Sequence, residues 1–240
     1  MNNILITGAS SDIGCELMRH LDNKNLTIYA HFNKSIKIIE ALQKELYSTI
    51  VPLQADLLAP DQVQNLIKEI DAYDIENIVH IASPDFENIR FRKLNWADFD
   101  IQIQVGLRSI TEILIPVLPK MAKHKKGKIV FLLSSCTINV PPMALAHYVT
   151  MKYGLLGLMK SLASEYNRYG ININALSPSM VETKFIQRLP EKSIELAAEK
   201  HPLKKLASTS DIVPMIEFLL SDKSDYINGV NHPITGGESF

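Results

Sequence analysis

The sequence predicts an α/β protein in which a doubly wound parallel sheet of about seven strands carries helices on both faces. Two observations support this. Short β-branched runs alternate with longer amphipathic segments from the first residues onward, and a glycine-containing turn follows the first run. No proline-, glycine- or serine-rich linker and no internal repeat interrupts the chain. We therefore expect a single domain over residues 1–240, with right-handed crossovers between its strands.

Six apolar runs are predicted to form strands buried on both faces, because they are short, β-branched and bounded by polar residues. These runs are 4–7, 26–32, 49–55, 77–82, 128–134 and 173–177. Amphipathic patterns predict helices near 12–22, 35–47, 60–72, 98–123 and 147–169. The basic run at 120–128 is typical of a solvated helix C-terminus ended by Gly127 and gives no reason to expect a nucleic-acid surface.

Two segments interrupt the alternation. Residues 83–97 are polar and irregular, and residues 179–201 insert extra helical sequence before the last helix. Both follow the ends of predicted strands, where parallel sheets bind their ligands. We expect both to flank a binding crevice, with 179–201 as a cap over the substrate.

The composition is that of an ordinary soluble protein, with 46% hydrophobic residues and a net charge of −1. This balance gives no reason to expect nucleic acid or a membrane as a partner. Cys15 and Cys136 form neither a metal-binding cluster nor a disulfide framework, which suits a reducing compartment. The N-terminal apolar run is too short for a signal peptide, and no apolar stretch approaches the length of a membrane span. We expect a cytoplasmic protein without a metal site.

Three polar side chains predict a proton-transfer site. Tyr148 and Lys152 lie four residues apart, so they share one face of a helix. Ser135 lies thirteen residues before Tyr148, at the end of a strand, and can face the same point. A lysine cation lowers the pKa of a neighbouring phenol, and a hydroxyl can hold a carbonyl oxygen. The trio therefore suits the interconversion of a carbonyl and an alcohol.

The turn after the first strand, residues 7–14 (TGASSDIG), predicts a Rossmann-type dinucleotide site. Its glycines permit close approach of the backbone, and the N-terminus of the next helix offers N–H groups to a pyrophosphate. Asp12 occupies a position beside that pyrophosphate, where a carboxylate is unfavourable. We expect Asp12 to turn away and cap the helix that it begins.

In these motifs the chain resembles the short-chain dehydrogenase/reductase family over nearly its whole length. The glycine turn carries Asp12 in place of the family's middle glycine, Asp56-Leu57 matches the D-L pair, and NALSPSMVET (174–183) matches the segment that holds the nicotinamide. The tail at 226–237 matches the closing strand and glycine pair. The resemblance implies that Ser135, Tyr148 and Lys152 are catalytic and that the protein is a homotetramer or dimer. The cofactor residues that it implies, together with the turn that follows the second strand, are Gly8, Ser10, Ser11, Asp12, Ile13, Asn33, Lys34, Ser35, Asp56, Leu57, Ala82, Ser83, Tyr148, Lys152, Pro178, Ser179, Val181 and Thr183.

The chain departs from the family at two informative positions. The family's N-N-A-G is replaced by residues 80–83, in which His80 is expected to be a buried histidine with satisfied hydrogen bonds. The asparagine that completes the family's catalytic tetrad, and holds a water next to the lysine, aligns with Gly106. The Gly106 carbonyl, helped by Gln102 or Gln104, is expected to preserve this relay to solvent with slower proton exchange.

The second strand ends without the carboxylate that binds the ribose of NAD. Asn33, Lys34 and Ser35, with Ser10 and Ser11, can receive a 2′-phosphate instead, which favours NADP(H) over NAD(H). The alternative is a polar turn in which Ser35 caps the next helix.

These features predict an NAD(P)(H)-dependent oxidoreductase that interconverts a carbonyl and an alcohol on a small molecule. A dinucleotide-binding scaffold or sensor without turnover is the alternative, and a dehydratase or epimerase on the same fold is a third. The expected substrate lining is apolar (Ile138, Val140, Met143, Leu145 and Phe185). It leaves open a 3-oxoacyl thioester, a small ketone or a nucleotide-linked keto-sugar.

Overall fold

The computed structural model describes residues 2–239; Met1 and Phe240, at the ends of the expected domain, lie outside them. Strands and helices alternate along most of the chain, as the sequence predicts. The strands are β1 (Asn3–Thr7), β2 (Thr27–Phe32), β3 (Thr49–Gln54), β4 (Asn77–His80), β5 (Gly127–Leu132), β6 (Ile171–Pro178) and β7 (Asn231–Ile234). The helices are α1 (Asp12–His20), α2 (Ile36–Glu45), α3 (Pro60–Asp71), α4 (Trp96–Gln102), α5 (Ser109–His124), α6 (Ala146–Tyr166), α7 (Glu191–Lys200) and α8 (Thr209–Leu220).

The seven strands of residues 2–239 form one parallel sheet in the order β3-β2-β1-β4-β5-β6-β7. Because strands are pleated, successive residues of β1 enter different cores: Ile4 and Ile6 pack on one face of the sheet, and Leu5 packs on the other. From β1 the chain adds β2 and β3 on one side of the sheet, and from β4 onward it adds strands on the other side, so the strand order reverses between β1 and β4. The carboxyl ends of these two strands therefore border the crevice where such sheets bind ligands.

The predicted helix at 98–123 is interrupted by a π-helical turn over Ile103–Arg108, between α4 and α5. Within it the Ser109 N–H donates to the Gln104 carbonyl, five residues back. A π turn inserts one residue into the helix and shifts the direction of its carbonyl groups, which often happens at functional sites. The local sequence does not reveal it, because helix periodicity continues on both sides.

The basic run ends α5 differently from the prediction. The helix ends at His124, and Lys125 adopts the left-handed conformation with φ 52°. Gly127 is instead the first residue of β5. The expectation that Gly127 ends the helix is therefore wrong by two residues, because Lys125 itself takes up the reversal of the chain.

Among residues 2–239, the continuous helix Trp96–His124 is long and apolar enough, by length and composition, to cross a membrane. This corrects the expectation that no stretch approaches that length. Its apolar side chains, including Ile110, Ile113 and Val117, belong to the core on one face of the sheet. A core helix of an α/β fold has the same composition as a membrane span for this reason.

Candidate active site

A cavity of about 1000 Å³ lies at the carboxyl ends of the central strands. Every residue that the sequence predicts for catalysis or cofactor binding lines this one cavity. They are Gly8, Ser10, Ser11, Asp12, Ile13, Asn33, Lys34, Ser35, Asp56, Leu57, Ala82, Ser83, Ser135, Tyr148, Lys152, Pro178, Ser179, Val181 and Thr183. The strand order explains this convergence, since parallel strands deliver the loops that follow them to the same edge of the sheet.

The glycine turn approaches the neighbouring strand too closely for a side chain. Gly8 has φ +72°, and a Cβ there would lie 2.9 Å from the Ala82 nitrogen. The Gly8 N–H donates to His31 Nδ1 at 3.2 Å, while His31 Nε2 lies 3.1 Å from the Ala55 carbonyl. A carbonyl only accepts, so Nε2 carries the proton and the neutral ring ties the turn to the end of β3. Sequence reasoning missed this role, which no motif marks.

Asp12 does not cap the helix that it begins. Ser11 is the N-cap residue of α1, and its hydroxyl accepts a hydrogen bond from the Gly14 N–H at 3.1 Å. The Asp12 carboxylate accepts instead from the backbone N–H of Lys184 at 2.6 Å, across 172 residues of sequence. The capping prediction for Asp12 is therefore wrong, because the preceding serine already satisfies the helix end.

The polar groups of the cavity fit a dinucleotide. The hydroxyl oxygens of Ser83 and Ser179 are buried there without a hydrogen-bond partner among the described residues. Such atoms are costly unless a ligand or water satisfies them. At the end of β2, Asn33, Lys34 and Ser35 are exposed, and Ser35 makes no side-chain capping bond to α2. The capping alternative for Ser35 is therefore not realised, and its hydroxyl stays available to a ligand.

Tyr148 and Lys152 lie on the first two turns of α6, at the inner end of the cavity. Lys152 Nζ lies 5.6 Å from the centroid of the Tyr148 ring. The same Nζ donates to the Leu132 carbonyl, at the end of β5, at 2.8 Å. Both side chains are almost fully buried, with exposed fractions of 8% and 3%. The helical spacing thus places the phenol and the ammonium group together, as the sequence predicts.

Burial governs the protonation of this pair. It raises the pKa of Tyr148 above the ordinary value, the nearby Cys136 sulfur raises it further, and a hydrogen bond with the Ser134 hydroxyl lowers it. Burial also lowers the pKa of Lys152 to about 8, although the Cys136 sulfur opposes that shift. The expectation of a lowered pKa for the phenol is therefore wrong for the protein alone, because burial is the largest effect on that pKa and raises it.

Two neighbouring serines face the cavity, where the sequence predicts one. Ser135, at the expected spacing from Tyr148, begins a short 3₁₀ helix, and Ser134 is its N-cap, accepting from the Cys136 N–H at 3.4 Å. The hydroxyl that lowers the pKa of Tyr148 is that of Ser134. Its position next to Ser135 is the only signal in the sequence that points to it.

His80 is buried with both ring nitrogens satisfied, as expected. Its Nδ1 lies 2.7 Å from the Thr7 hydroxyl and its Nε2 lies 2.9 Å from the Gly106 carbonyl. Burial lowers its pKa to about 3, the Gly106 bond opposes that shift, and the charge of Lys152 lowers it further. The Gly106 carbonyl, which the sequence proposes for the relay, thus accepts a hydrogen bond from His80. Since a carbonyl oxygen has two lone pairs, its part in a relay stays a prediction.

The two glutamines proposed to help the relay are engaged elsewhere. Gln102 Nε2 donates to the Asp85 carbonyl at 3.0 Å, and Gln104 bonds to Asp100 and Arg108 on the exposed side of the helix. These bonds argue against a role of Gln104 beside Lys152. The Oε1 of Gln102 is buried without a partner among the described residues, so the expected help of Gln102 stays a prediction.

Aromatic side chains cover the phenol. The Phe86 ring lies 4.5 Å from the Tyr148 ring, and the Phe185 ring meets Phe86 edge-on at 5.2 Å. Phe86 comes from the irregular segment after β4, which the sequence places at the crevice without singling out this residue. Of the apolar lining that the sequence predicts, Leu145 and Phe185 do border the cavity, and Ile138 is not among its lining residues.

Two residues predicted to line the substrate site do not. Val140 and Met143 are 94% and 93% exposed, so they project into solvent. The turn between Ser135 and α6 directs them outward. The prediction that they line the substrate site is based on their apolar character, and it is wrong because the turn points both side chains into solvent.

Comparison with known proteins agrees with this geometry. A family model described as enoyl-(acyl carrier protein) reductase matches residues 8–239. The 3-oxoacyl-(acyl-carrier-protein) reductase FabG of Staphylococcus epidermidis is 28% identical over 97% of this chain and 97% of its own length. FabG of Thermotoga maritima is 30% identical over 97% of this chain and 96% of its own length.

The solved structure of ElxO with NADP bound is 25% identical, covers 98% of each chain and has a TM-score of 0.86. The match to the family model extends from the glycine turn to the last residues of the chain, so it includes strands β2 to β7 and every residue of the cavity. The protein belongs to the short-chain dehydrogenase/reductase family of NAD(P)-dependent oxidoreductases.

Proposed function

We propose that this enzyme reduces the carbonyl group of a 3-oxoacyl thioester to an alcohol with NADP(H). The observation that carries the proposal is the buried phenol of Tyr148, with Lys152 and two serine hydroxyls, at the inner end of a cavity large enough for a dinucleotide. The relatives named as 3-oxoacyl reductases support the substrate class. The family model names an enoyl reductase instead, but hydroxyl donors suit an acceptor oxygen better than a carbon–carbon double bond.

The chain's own residues supply the proton and hold the oxygen. The raised pKa of Tyr148 keeps the phenol protonated at neutral pH, so it can donate to the oxygen as the carbonyl is reduced. Ser135 orients that oxygen, and Ser134 holds the phenol. Lys152 binds the nicotinamide ribose and balances the charge of the phenolate that is left. When bound, the nicotinamide supplies the hydride.

The cofactor is held by the loops that follow the strands. Gly8 and Ile13 would bind the pyrophosphate through the turn and the N-terminus of α1, and Ser10 and Ser11 would help to hold the 2′-phosphate. Other loops bind the rest: Asp56, Leu57, Ala82 and Ser83 around the adenosine, and Pro178, Ser179, Val181 and Thr183 around the nicotinamide.

The preference for NADP(H) over NAD(H) is inferred from the residues that follow the end of β2. Asn33, Lys34 and Ser35 are exposed at the cavity, and Lys34 brings a cation to the place where a 2′-phosphate would lie. Asn33→Asp is expected to weaken NADPH binding by about tenfold or more and to leave NADH binding nearly unchanged, because a carboxylate repels the phosphate. Equilibrium binding of the two cofactors measures this. Equal effects on both would contradict the choice of NADP(H).

Tyr148→Phe tests the reaction. Acetoacetyl coenzyme A and crotonyl coenzyme A would be offered with NADPH, and consumption of the cofactor would be followed by absorbance. Wild type is expected to reduce the 3-oxo substrate in preference to the enoyl substrate. The variant should lose at least about a hundredfold in kcat while binding NADPH normally. Wild-type protein that binds NADPH but reduces neither thioester would indicate a binding protein without turnover.

A further inference from the structure

The segment 181–189 follows β6 and borders the cavity. Its base is attached to the residue pair before α8 by a bridge between Val181 and Ala207 and by the Glu182 N–H, which donates to the Ala207 carbonyl at 2.8 Å. Beyond that base, Lys184, Phe185, Ile186 and Leu189 line the cavity.

The backbone of Lys184 is attached to the glycine turn. Its N–H donates to Asp12 Oδ2 at 2.6 Å. Its Nζ lies 3.9 Å from Asp12 Oδ1, and the Lys184 side chain is 77% exposed. A hydrogen bond from an amide to a carboxylate is charge-assisted and strong, while an exposed ion pair at that distance contributes little. The backbone bond is therefore the contact that fixes the segment.

The next residue carries that restraint to the reacting centre. Phe185 packs edge-on against Phe86 at 5.2 Å, and Phe86 packs on the Tyr148 ring at 4.5 Å. Since consecutive Cα atoms are about 3.8 Å apart, holding the Lys184 amide restricts where the Phe185 ring can lie. A continuous chain of contacts thus joins Asp12 to the phenol.

We propose that Asp12 is a positioning residue that holds the segment 181–189 over the cavity, so that Phe185 and Phe86 enclose the reacting carbonyl beside Tyr148. The carboxylate occupies a place where the family has a glycine, which offers no side chain for such a contact. The aromatic cover keeps water from the phenol and confines the part of the substrate next to the carbonyl. This inference rests on the proposed function for its kinetic consequence, whereas the attachment itself does not.

Hydrogen exchange tests the attachment without any turnover. In Asp12→Gly the Lys184 amide loses its acceptor, and its exchange, followed by mass spectrometry, is expected to accelerate by about tenfold or more. Lys184→Ala is the matched control, because it removes the exposed ion pair and keeps the N–H; its exchange should match that of wild type. Unchanged exchange in Asp12→Gly, or equal acceleration in Lys184→Ala, would overturn the proposal.

A double-mutant cycle tests whether Asp12 acts on the reaction through Phe185. With NADPH saturating, Asp12→Gly is expected to lower kcat/KM for acetoacetyl coenzyme A by about tenfold, and Lys184→Ala by less than about twofold. In a Phe185→Ala background Asp12→Gly should have little further effect, because both changes remove the same cover. Additive effects would overturn the role of Phe185. If wild type reduces no thioester, the proposed function fails, and the exchange measurement still decides whether Asp12 holds the segment.

Discussion

His80 Nε2 lies 2.9 Å from the carbonyl oxygen of Gly106, so a buried imidazole joins the end of β4 to the π turn beside α6. The carbonyl only accepts, which places the proton on Nε2 and leaves Nδ1 to accept from the Thr7 hydroxyl at 2.7 Å. His80 replaces a residue of the family's N-N-A-G segment, and Gly106 replaces the asparagine of its catalytic tetrad. The two departures from the family are therefore partners in one hydrogen bond.

We expect His80→Leu to lower the free energy of unfolding by about 1–3 kcal/mol, because it removes a buried donor to the Gly106 carbonyl and a buried acceptor for the Thr7 hydroxyl. His232→Leu is the control, since the Nε2 of His232 is buried without a partner among the described residues. Urea denaturation of both variants measures the difference. Equal free energies of unfolding for His80→Leu and His232→Leu would argue against a stabilising hydrogen bond between His80 and Gly106.

The π turn has little room at Gly106. A Cβ there would lie 2.5 Å from the Met151 Sδ and 2.8 Å from its Cγ. We expect Gly106→Ala to destabilise the protein by about 1–3 kcal/mol, even though alanine favours a helix over glycine by about 1 kcal/mol. In a Met151→Ala background the cost should be smaller, because the clashing side chain is absent. A full cost in that background, measured by denaturation, would refute the steric explanation.

Ser134→Ala should shift the pH dependence of the reaction. The hydrogen bond with Ser134 lowers the pKa of Tyr148, so its removal raises that pKa, and the phenolate then forms only at higher pH. For the oxidation of a 3-hydroxyacyl thioester, which needs the phenolate as base, the rising limb of kcat/KM against pH should move to higher pH.

Ser135→Ala separates the two serines. It should lower kcat by about a hundredfold without moving that limb, since Ser135 is proposed to hold the substrate oxygen rather than the phenol. If the rising limb of kcat/KM moved in Ser135→Ala and not in Ser134→Ala, Ser135 would be the serine that acts on the phenol and Ser134 the one that holds the substrate oxygen.

The buried histidines predict a loss of stability in acid. Burial lowers the pKa of His31 from 6.5 to about 4, and that of His80 from 6.5 to about 3. Between these values and 6.5 the unfolded chain binds protons that the folded protein does not, so the free energy of unfolding falls as the pH decreases. Each histidine contributes a slope of at most about 1.4 kcal/mol per pH unit.

His31→Gln tests this linkage between about pH 6.5 and 4. In the variant the free energy of unfolding should fall less steeply with decreasing pH than in wild type, because glutamine does not titrate. The difference in slope corresponds to about one proton fewer taken up on unfolding. Urea denaturation at a series of pH values gives both slopes. An unchanged slope would mean that His31 is not held neutral by the fold.

The arrangement of the cavity could be predicted from the sequence because it follows from local patterns. Alternating strands and helices require a parallel sheet, whose loops meet at one edge. Residues as distant along the chain as Gly8, Asp56 and Thr183 are therefore expected to lie around one crevice, and all three line the cavity. The pairing of Tyr148 and Lys152 depends only on helical spacing.

Contacts between loops could not be predicted in this way. No spacing rule relates Asp12 to Lys184 or Phe86 to Tyr148, since each pair joins irregular or distant segments. Val140 and Met143 look like a substrate lining from their composition, yet the turn that carries them projects into solvent.

The sequence by itself thus determined the order of strands and helices, the family, and the catalytic and cofactor residues that line the cavity, because these follow from hydrophobic periodicity and short motifs. Only the tertiary structure decided the partner of each polar group. Burial, which depends on everything packed around a side chain, keeps Tyr148 protonated and lowers the pKa of Lys152. The approach of the π turn to the end of β4 makes the Gly106 carbonyl the acceptor for His80.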